Sequence, residues 1–311
     1  MDEVLTWLME GDPTIRWQVM KDLLNKSKSD YEKERLKIAK NGWGYKLVQS
    51  QTKQQGWNNT TPRNKWTAPH WLITVLRRIG YPPDLENKEI IECLQNFVTH
   101  GLKPDGGINL LNTKKNGHVC YTGNILANLI YFNVHDDQIT KIIDYIKNTQ
   151  LIDGGWNCDD RKKHHSSFHS TWSILEAISL AKNSKNNILS TFCDDLAQLE
   201  SKGQEFLLEH ELYKSHRTKQ IADERLLKFC FPPHYRYDIM AALDYFQSIS
   251  YPYDERMTDA VKIIQSKELE GKWKLDQILK GEIFFEMENT GKFSRWNTLR
   301  ALRILKWSNL N

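Results

Sequence analysis

The segment QLIDGGWNCDDRKKHHSSFHSTWS, residues 150–173, contains the features around which the chain is organised. Its first half holds a glycine turn and a tryptophan with the spacing Q-x-x-x-G-x-W, over Gln150–Trp156. Its second half starts an apolar helix at Ser167, because aliphatic residues then recur at helical spacing. Cys158 and His169, two side chains of the kinds that bind borderline metals, lie next to these features. The segment therefore predicts a turn between two helices with candidate metal ligands beside it.

The same succession of an amphipathic helix, a glycine turn and a more apolar helix recurs along the chain. Amphipathic helices are predicted over Lys88–Thr99, Gln138–Gln150, Asp194–Glu211 and Asp254–Gln265. Six apolar helices are predicted to start near residues 14, 66, 118, 167, 234 and 294. No segment alternates polar and apolar residues over a useful length, so no strand is predicted. A repeat of about 50 to 60 residues, with one helix of each kind, indicates an array in which the helices bury one another.

We predict an all-α fold in which six inner and six outer helices close on themselves as an α/α toroid, a single domain over residues 1–311. Two features favour closure: the number of apolar helices, and the turn and polar loop that precede most of them at the same end. An open α-solenoid of the HEAT type is the structural alternative.

The composition limits the class of protein. Apolar residues make up 40% of the chain and charged residues 26%, which is ordinary for a soluble globular protein. The formal net charge of +4 is too small to indicate a nucleic-acid partner. No window approaches the roughly 18 consecutive apolar residues of a membrane-spanning helix, and the N-terminal residues show no secretory signal. The odd number of cysteines favours a reducing compartment, so a cytoplasmic location is expected.

The apolar helices bring metal-ligand residue types to one register. The aliphatic positions that align are Ile125, Ile174, Ile239 and Leu299. The residues five positions earlier are Cys120, His169, His234 and Ser294. Three consecutive inner helices therefore carry Cys, His and His in the predicted first turn, which in a toroid faces the axis. Such a set is typical of a tetrahedral zinc site with an open fourth position, although each residue alone is more typical of a buried thiol or a core histidine.

Two motifs resemble those of a known superfamily. The Q-x-x-x-G-x-W turn of Gln150–Trp156 resembles the repeats of squalene and oxidosqualene cyclases. The Gly-Gly turn followed by a loop and a helix resembles the β-subunits of protein prenyltransferases. The likeness covers most of the chain as architecture, is motif-specific only over residues 106–181, and implies a toroid with a central funnel. The D-D-x-x-D and D-x-D-D acid motifs of terpene cyclases are absent, which disfavours terpene cyclisation.

The resemblance to prenyltransferase β-subunits implies roles for individual residues. That family binds zinc through Asp-x-Cys at the start of one inner helix and a His at the start of the next. Cys120 and His169 match this Cys and this His. Lys115 and Tyr121 match a Lys and a Tyr that contact diphosphate in the family.

One ligand of the family's zinc site has no counterpart here. The Asp two residues before the Cys is replaced by His118, whose imidazole can also bind zinc. His234 and Cys158 are further candidate ligands. A zinc site with a different charge is therefore expected.

Aromatic residues cluster in the predicted first turns of the inner helices and would line one end of a closed funnel. The candidates for substrate binding are Trp66, Trp172, Tyr237 and Trp296, together with Lys115. Tyr121 and Tyr235 are the candidate catalytic side chains. Such a surface suits a long apolar substrate and stabilises a carbocation through the ring faces. The alternative is that these rings fill gaps between helices.

The function expected from these features is that of a zinc-dependent, transferase-like enzyme acting on an apolar or isoprenoid-like small molecule. Copper or iron is an alternative metal for mixed sulfur and nitrogen ligands. A toroid that binds a lipid or peptide without chemistry is the competing hypothesis, and an open helical repeat that binds proteins is a third.

Overall fold

The computed structural model describes residues 3–57, 66–111, 115–134, 136–158 and 165–309. Within these ranges the fold is all-helical, and the only β-type pairs are isolated bridges, so the prediction of an all-α fold is confirmed. The α-helices are α1 Glu3–Met9, α2 Pro13–Gln18, α3 Lys28–Arg35, α4 Gly42–Ser50, α5 Pro69–Arg78, α6 Lys88–Gly101, α7 Val119–Tyr131, α8 Ile139–Asn148, α9 Phe168–Lys182, α10 Asn187–Ser190, α11 Cys193–Glu209, α12 Ile239–Ser248, α13 Thr258–Ser266 and α14 Arg295–Ser308. Short π-helical turns extend α2 over Val19–Leu23 and α4 over Gln51–Gln55.

The helix starts follow local capping chemistry. Asp12 Oδ1 accepts the Thr14 N–H at 2.9 Å. Pro13 occupies the first helical position of α2, where its missing N–H would have had no acceptor within the helix. The amphipathic helices α6, α8 and α11 lie where the apolar periodicity predicts them. The last apolar helix but one is different: it begins at Ile239 and not at His234, because Asp238 caps it by accepting the Ala241 N–H at 2.7 Å.

The described residues form two compact units. Unit 1 contains Met1–Gln55, Val75–Pro82 and Glu211–Asn311. In it, α14 packs against α2, α12 and α13. Unit 2 contains Gly56–Thr74 and Pro83–His210. In it, α7 and α9 pack together at the centre, with α6 and α8 against α7 and α11 against α9. Both central helices are buried on nearly every side, which explains their apolar composition.

The turn before each of three apolar helices is built in the same way. A turn residue donates its N–H to a threonine hydroxyl in the helix, in the pairs Ile108–Thr122 at 2.8 Å, Trp156–Thr171 at 3.0 Å and Trp273–Thr298 at 3.0 Å. The carbonyl of the same turn residue accepts the N–H of the helix N-cap, which is His118, Ser167 or Ser294. Each turn is thereby fixed to the first turn of the helix that follows.

The glycine of the Q-x-x-x-G-x-W turn is required by the backbone. Gly154 has φ +89°, and a Cβ added there would lie 2.5 Å from the Lys202 carbonyl oxygen. Gln150 Nε2 donates to the carbonyls of Gly154 and Leu199 at 2.7 and 3.0 Å. The fully buried Trp156 donates through Nε1 to the Ile146 carbonyl at 2.8 Å, at the end of α8. The motif is therefore architectural.

These contacts also define the register of the repeats. Cys120 and His169 each lie two residues after their N-caps, His118 and Ser167, so their predicted equivalence is correct. Ser294 is itself the N-cap of α14 and corresponds to His118, not to Cys120. His234 lies four residues before the N-cap of α12, outside the helix. The alignment of the repeats by their aliphatic residues is therefore wrong for α12 and α14. Apolar residues recur so often in these helices that an alignment shifted by a few residues still matches aliphatic positions.

Candidate metal centre

The N-terminus of α7 positions two of the candidate ligands. His118 is the N-cap, in an extended conformation with φ −124° and ψ 116°, and its N–H donates to the Ile108 carbonyl at 3.0 Å. The Thr122 hydroxyl donates back to the His118 carbonyl at 3.0 Å. Cys120 follows at the second helical position. The backbone that carries both side chains is thus held by the turn that precedes the helix.

The third candidate ligand comes from the next turn along the chain. Cys158 lies two residues after Trp156, whose N–H and carbonyl are both bonded to the start of α9. Asn157 Nδ2, next to Cys158, donates to the His165 carbonyl at 2.6 Å. Because α7 and α9 pack side by side, the turn that ends at Cys158 lies against the start of α7.

His118, Cys120 and Cys158 come together at this point. The imidazole nitrogen and the two sulfurs all lie within 4.8 Å of one another. In a tetrahedral zinc site with Zn–S and Zn–N bonds of about 2.3 and 2.0 Å, ligand atoms are roughly 3.5 Å apart, so small side-chain adjustments would close the site. His118 Nδ1 is buried and has no hydrogen-bond partner in the described part of the chain. The donor set and this unmatched nitrogen both fit a metal ion.

The two thiols differ in protonation. Hydrogen bonds from the Cys120 thiol and from His118 hold the pKa of Cys158 well below its usual range. The same contact with Cys158, together with burial, raises the pKa of Cys120. The Ser170 hydroxyl lies 3.2 Å from Cys120 Sγ. The group thus offers one thiolate and one thiol that can lose its proton to a bound cation.

The structure brings three of the five predicted metal ligands into one group. His169 is half-buried at the second position of α9 and lies outside this group. His234 belongs to unit 1, where it is buried and its carbonyl accepts a hydrogen bond from Arg78 Nη1. The third ligand is instead Cys158, a residue that has no counterpart in the zinc site of the prenyltransferase β-subunits.

Aromatic rings adjoin the candidate metal centre. The ring of Tyr121 lies 4.7 Å from that of His118 and 5.2 Å from that of His70, between centroids. Trp71 lies 4.7 Å from His70 and 5.8 Å from Trp66. Burial, followed by the two thiols, raises the pKa of Tyr121. Tyr121 and Trp66 therefore lie in one aromatic cluster that touches a candidate ligand.

His70 is a member of this cluster that sequence reasoning missed. It is 2% exposed, both ring nitrogens are buried without a hydrogen-bond partner among the described residues, and burial lowers its pKa to about 3. His70 is the second residue of α5, as Cys120 is of α7 and His169 is of α9. Placing the start of α5 at Pro69, a residue type favoured at the first helical position, would have revealed it.

The other predicted site residues have more ordinary surroundings. Lys115 is exposed in the loop before α7, and Trp172 is buried in α9. Tyr235 and Tyr237 lie before α12 and not in its first turn. The Tyr237 hydroxyl donates to the Leu212 carbonyl at 2.6 Å, and the ring is fully buried, as in a structural residue.

Trp296 is buried against Phe231 in unit 1. The two rings are stacked, with centroids 4.8 Å apart and an interplanar angle of 24°. No helix in the described ranges is long and apolar enough to cross a bilayer.

Comparison with protein-family models, with curated proteins and with solved structures finds no match to this chain. The resemblance to squalene cyclases and prenyltransferase β-subunits accordingly rests on the motifs quoted above. Among the candidate site residues, His118, Cys120 and Cys158 form the group with the clearest chemistry.

Proposed function

We propose that this protein is a zinc-dependent, transferase-like enzyme that acts on an apolar or isoprenoid-like small molecule. In this proposal His118, Cys120 and Cys158 bind the metal, and the helices close as a single-domain α/α toroid with a central aromatic funnel. The observation that carries it is the approach of one imidazole nitrogen and two sulfurs to within 4.8 Å of one another.

The ligand types support zinc and leave room for chemistry. Two thiolates and one imidazole are a known catalytic ligand set, in which the fourth position is left to water or substrate. Zinc in such a position acts as a Lewis acid towards a thiolate, water or carbonyl group. The chain's own contribution is to hold Cys158 as a thiolate and to fix His118 through the capped start of α7.

The aromatic cluster supports an apolar substrate. Tyr121 joins the His118 ring to the rings of His70 and Trp71, so apolar ring surface continues directly from a candidate ligand. Rings of this kind contact isoprenoid chains and stabilise developing positive charge through their faces. Tyr121, half-buried at the junction, is the side chain best placed to orient a substrate between the rings and the metal.

Metal content of the purified protein tests the metal centre. We expect one zinc per chain in the wild type, and zinc affinity at least about 100-fold lower in Cys120→Ser and Cys158→Ser, because each variant removes one ligand. Cys193→Ser is the matched control, since Cys193 is a half-buried thiol outside the group. Wild-type protein without zinc after supplementation, or equal affinity in all three variants, would contradict the proposal.

Binding of an isoprenoid alcohol, followed by tryptophan fluorescence, tests the substrate class. The zinc-loaded wild type should bind farnesol saturably, and Trp71→Leu should weaken the affinity about tenfold by removing ring surface next to His70. A folded, zinc-containing protein that binds neither farnesol nor its diphosphate would refute the substrate class and favour another small molecule at the same metal.

A further inference from the structure

The segment that precedes α12 holds a second group of buried polar side chains, and all of them belong to unit 1. The Phe229 N–H donates to Asp276 Oδ2 at 2.8 Å, and the Phe229 carbonyl accepts the Asp276 N–H at 3.1 Å. The next residues of the two segments, Cys230 and Gln277, form an isolated bridge. The positive charges of Arg236 and Arg300 both act on the Cys230 thiol, so both guanidinium groups lie near this bridge.

Arg236 is a buried arginine, and two of its donor atoms have no hydrogen-bond acceptor among the described residues. It is 7% exposed, and its Nε and Nη2 atoms are buried with no hydrogen bond within the described ranges. The nearby Asp238 does not pair with it: the two Asp238 oxygens accept the N–H groups of Cys230 at 3.2 Å and of Ala241 at 2.7 Å. Asp238 therefore acts as the cap of α12, and the donors of Arg236 are left for something else.

Further unmatched groups lie in the same part of unit 1. Gln277 Nε2, Trp296 Nε1 and Arg300 Nη1 are buried donors without an acceptor among the described residues. Arg300 uses only Nε towards Asp244 Oδ2, at 3.1 Å. Within the described part of α14, Asn297 Oδ1 is a buried acceptor without a hydrogen-bond donor. Most of the unmatched polar atoms in this group are therefore hydrogen-bond donors. Those of Arg236 and Arg300 belong to positively charged guanidinium groups.

We infer that Arg236, Gln277 and Arg300 form a binding site for the oxyanion head group of a small molecule, a carboxylate or a phosphate. Buried donors without acceptors are costly and rare in native proteins, and an unpaired buried guanidinium is especially so. An oxyanion is an acceptor-only partner that satisfies several such donors at once, and the guanidinium fork matches its geometry. None of the candidate zinc ligands takes part, so this site is independent of the function proposed above.

The surroundings also fit an apolar body on the same ligand. Phe231 follows Cys230, and its ring stacks on that of Trp296 at 4.8 Å and lies 5.3 Å from that of Trp43. A molecule whose head binds the arginines therefore meets aromatic surface directly beside them.

Hexanoate, hexyl phosphate and hexanol form a matched set of probes for this site. Calorimetric titration of the full-length wild type, at constant ionic strength in a chloride buffer, should show saturable binding of one anionic probe per chain and no comparable binding of hexanol. Binding of hexyl phosphate alone assigns a phosphate head group, and binding of hexanoate alone assigns a carboxylate. Absence of saturable binding by either anion, or equal binding of hexanol, would show that water satisfies these donors and would overturn the proposal.

Three variants connect the binding to the named residues. Arg236→Gln and Gln277→Leu should each raise the dissociation constant at least about tenfold, because a charge-assisted or neutral hydrogen bond to the anion is lost. Gln277→Leu keeps the test available if Arg236→Gln does not fold, because the side chain of Gln277 is only partly buried. Arg217→Gln removes an exposed arginine elsewhere in unit 1, and it should bind as the wild type does. Unchanged affinity in Arg236→Gln, or in Gln277→Leu where only that variant folds, would refute the site.

Discussion

Glu288 is a half-buried carboxyl group held at the N-terminus of α14. Its Oε1 accepts the N–H groups of Arg295 at 2.9 Å and of Trp296 at 3.2 Å, and its Oε2 accepts the Ser294 hydroxyl. These bonds favour the charged form, but burial outweighs them and raises the pKa of Glu288 to about 7. A carboxyl group whose folded pKa exceeds its unfolded pKa loses stabilisation as the pH rises between the two values.

The change Glu288→Gln should remove this pH dependence. Between pH 4.5 and 7, the free energy of unfolding of the wild type should fall relative to that of the variant by about 2 kcal/mol, and the difference should be constant above pH 7. This figure is below the roughly 3 kcal/mol of the full pKa shift, because Glu288 keeps some exposure to solvent. Urea denaturation at several pH values measures it. The exposed Glu286→Gln is the control, and parallel curves for wild type and Glu288→Gln would contradict the prediction.

At the scale of elements, the unit that repeats is a turn locked to the helix that follows it. In three copies a fully buried threonine hydroxyl accepts the N–H of the turn residue, and the turn carbonyl accepts the N–H of the helix N-cap. In the copies before α7 and α9, these bonds position the start of α7, with His118 and Cys120, and the turn that ends at Cys158. The metal centre thus depends on hydrogen bonds whose donors and acceptors are repeated along the chain.

Thr171→Val should therefore destabilise the protein more than Thr171→Ser does. Valine fills the same space but leaves the Trp156 N–H buried without an acceptor, at a cost of about 1–3 kcal/mol. Serine keeps the hydroxyl and loses one methyl group, which costs about 1 kcal/mol. The free energy of unfolding from urea denaturation distinguishes the two. Equal or greater stability of the valine variant would mean that this hydroxyl does not hold the turn.

At the scale of the whole molecule, unit 1 is assembled from segments at both ends of the chain. Arg303 in α14 donates to Gln18 Oε1 at 2.8 Å and to Asp22 Oδ2 at 3.2 Å. It also pairs with Asp244 in α12, with Nη2 2.6 Å from Oδ2. One guanidinium group thereby joins α14 to α12 and to the π-helical turn that extends α2, where Asp22 lies.

Arg303→Gln should destabilise the protein by about 3 kcal/mol, because Asp22 and Asp244 lose a partner that is almost fully buried. Arg225→Gln, which breaks an exposed pair with Asp223, should leave the stability close to that of the wild type. Zinc content of the folded Arg303→Gln variant should stay at the wild-type value, because the metal ligands all belong to unit 2. Thermal denaturation checks the first expectation, and comparable stability of the two variants would contradict it.

The prediction from sequence was best where the cause is local. The start of α2 at Pro13, the turn at Gly154 and the amphipathic helices follow from capping, from a positive φ and from apolar spacing, which act within a few residues. The helical positions of Cys120 and His169 were also found, since their N-caps are equivalent. The start of α12 was missed because Asp238, which caps it, lies inside the run of residues that was read as helix.

What the sequence by itself determined is the all-helical repeat and the presence of thiol and imidazole groups near the starts of its apolar helices. Which of those groups meet was decided only by the tertiary structure. Cys158 joins His118 and Cys120 because the turn before α9 packs on the start of α7, whereas His169, at the matching helical position, does not join them. Metal ligation depends on atoms placed within a few ångströms, and apolar periodicity specifies only which face of a helix is buried.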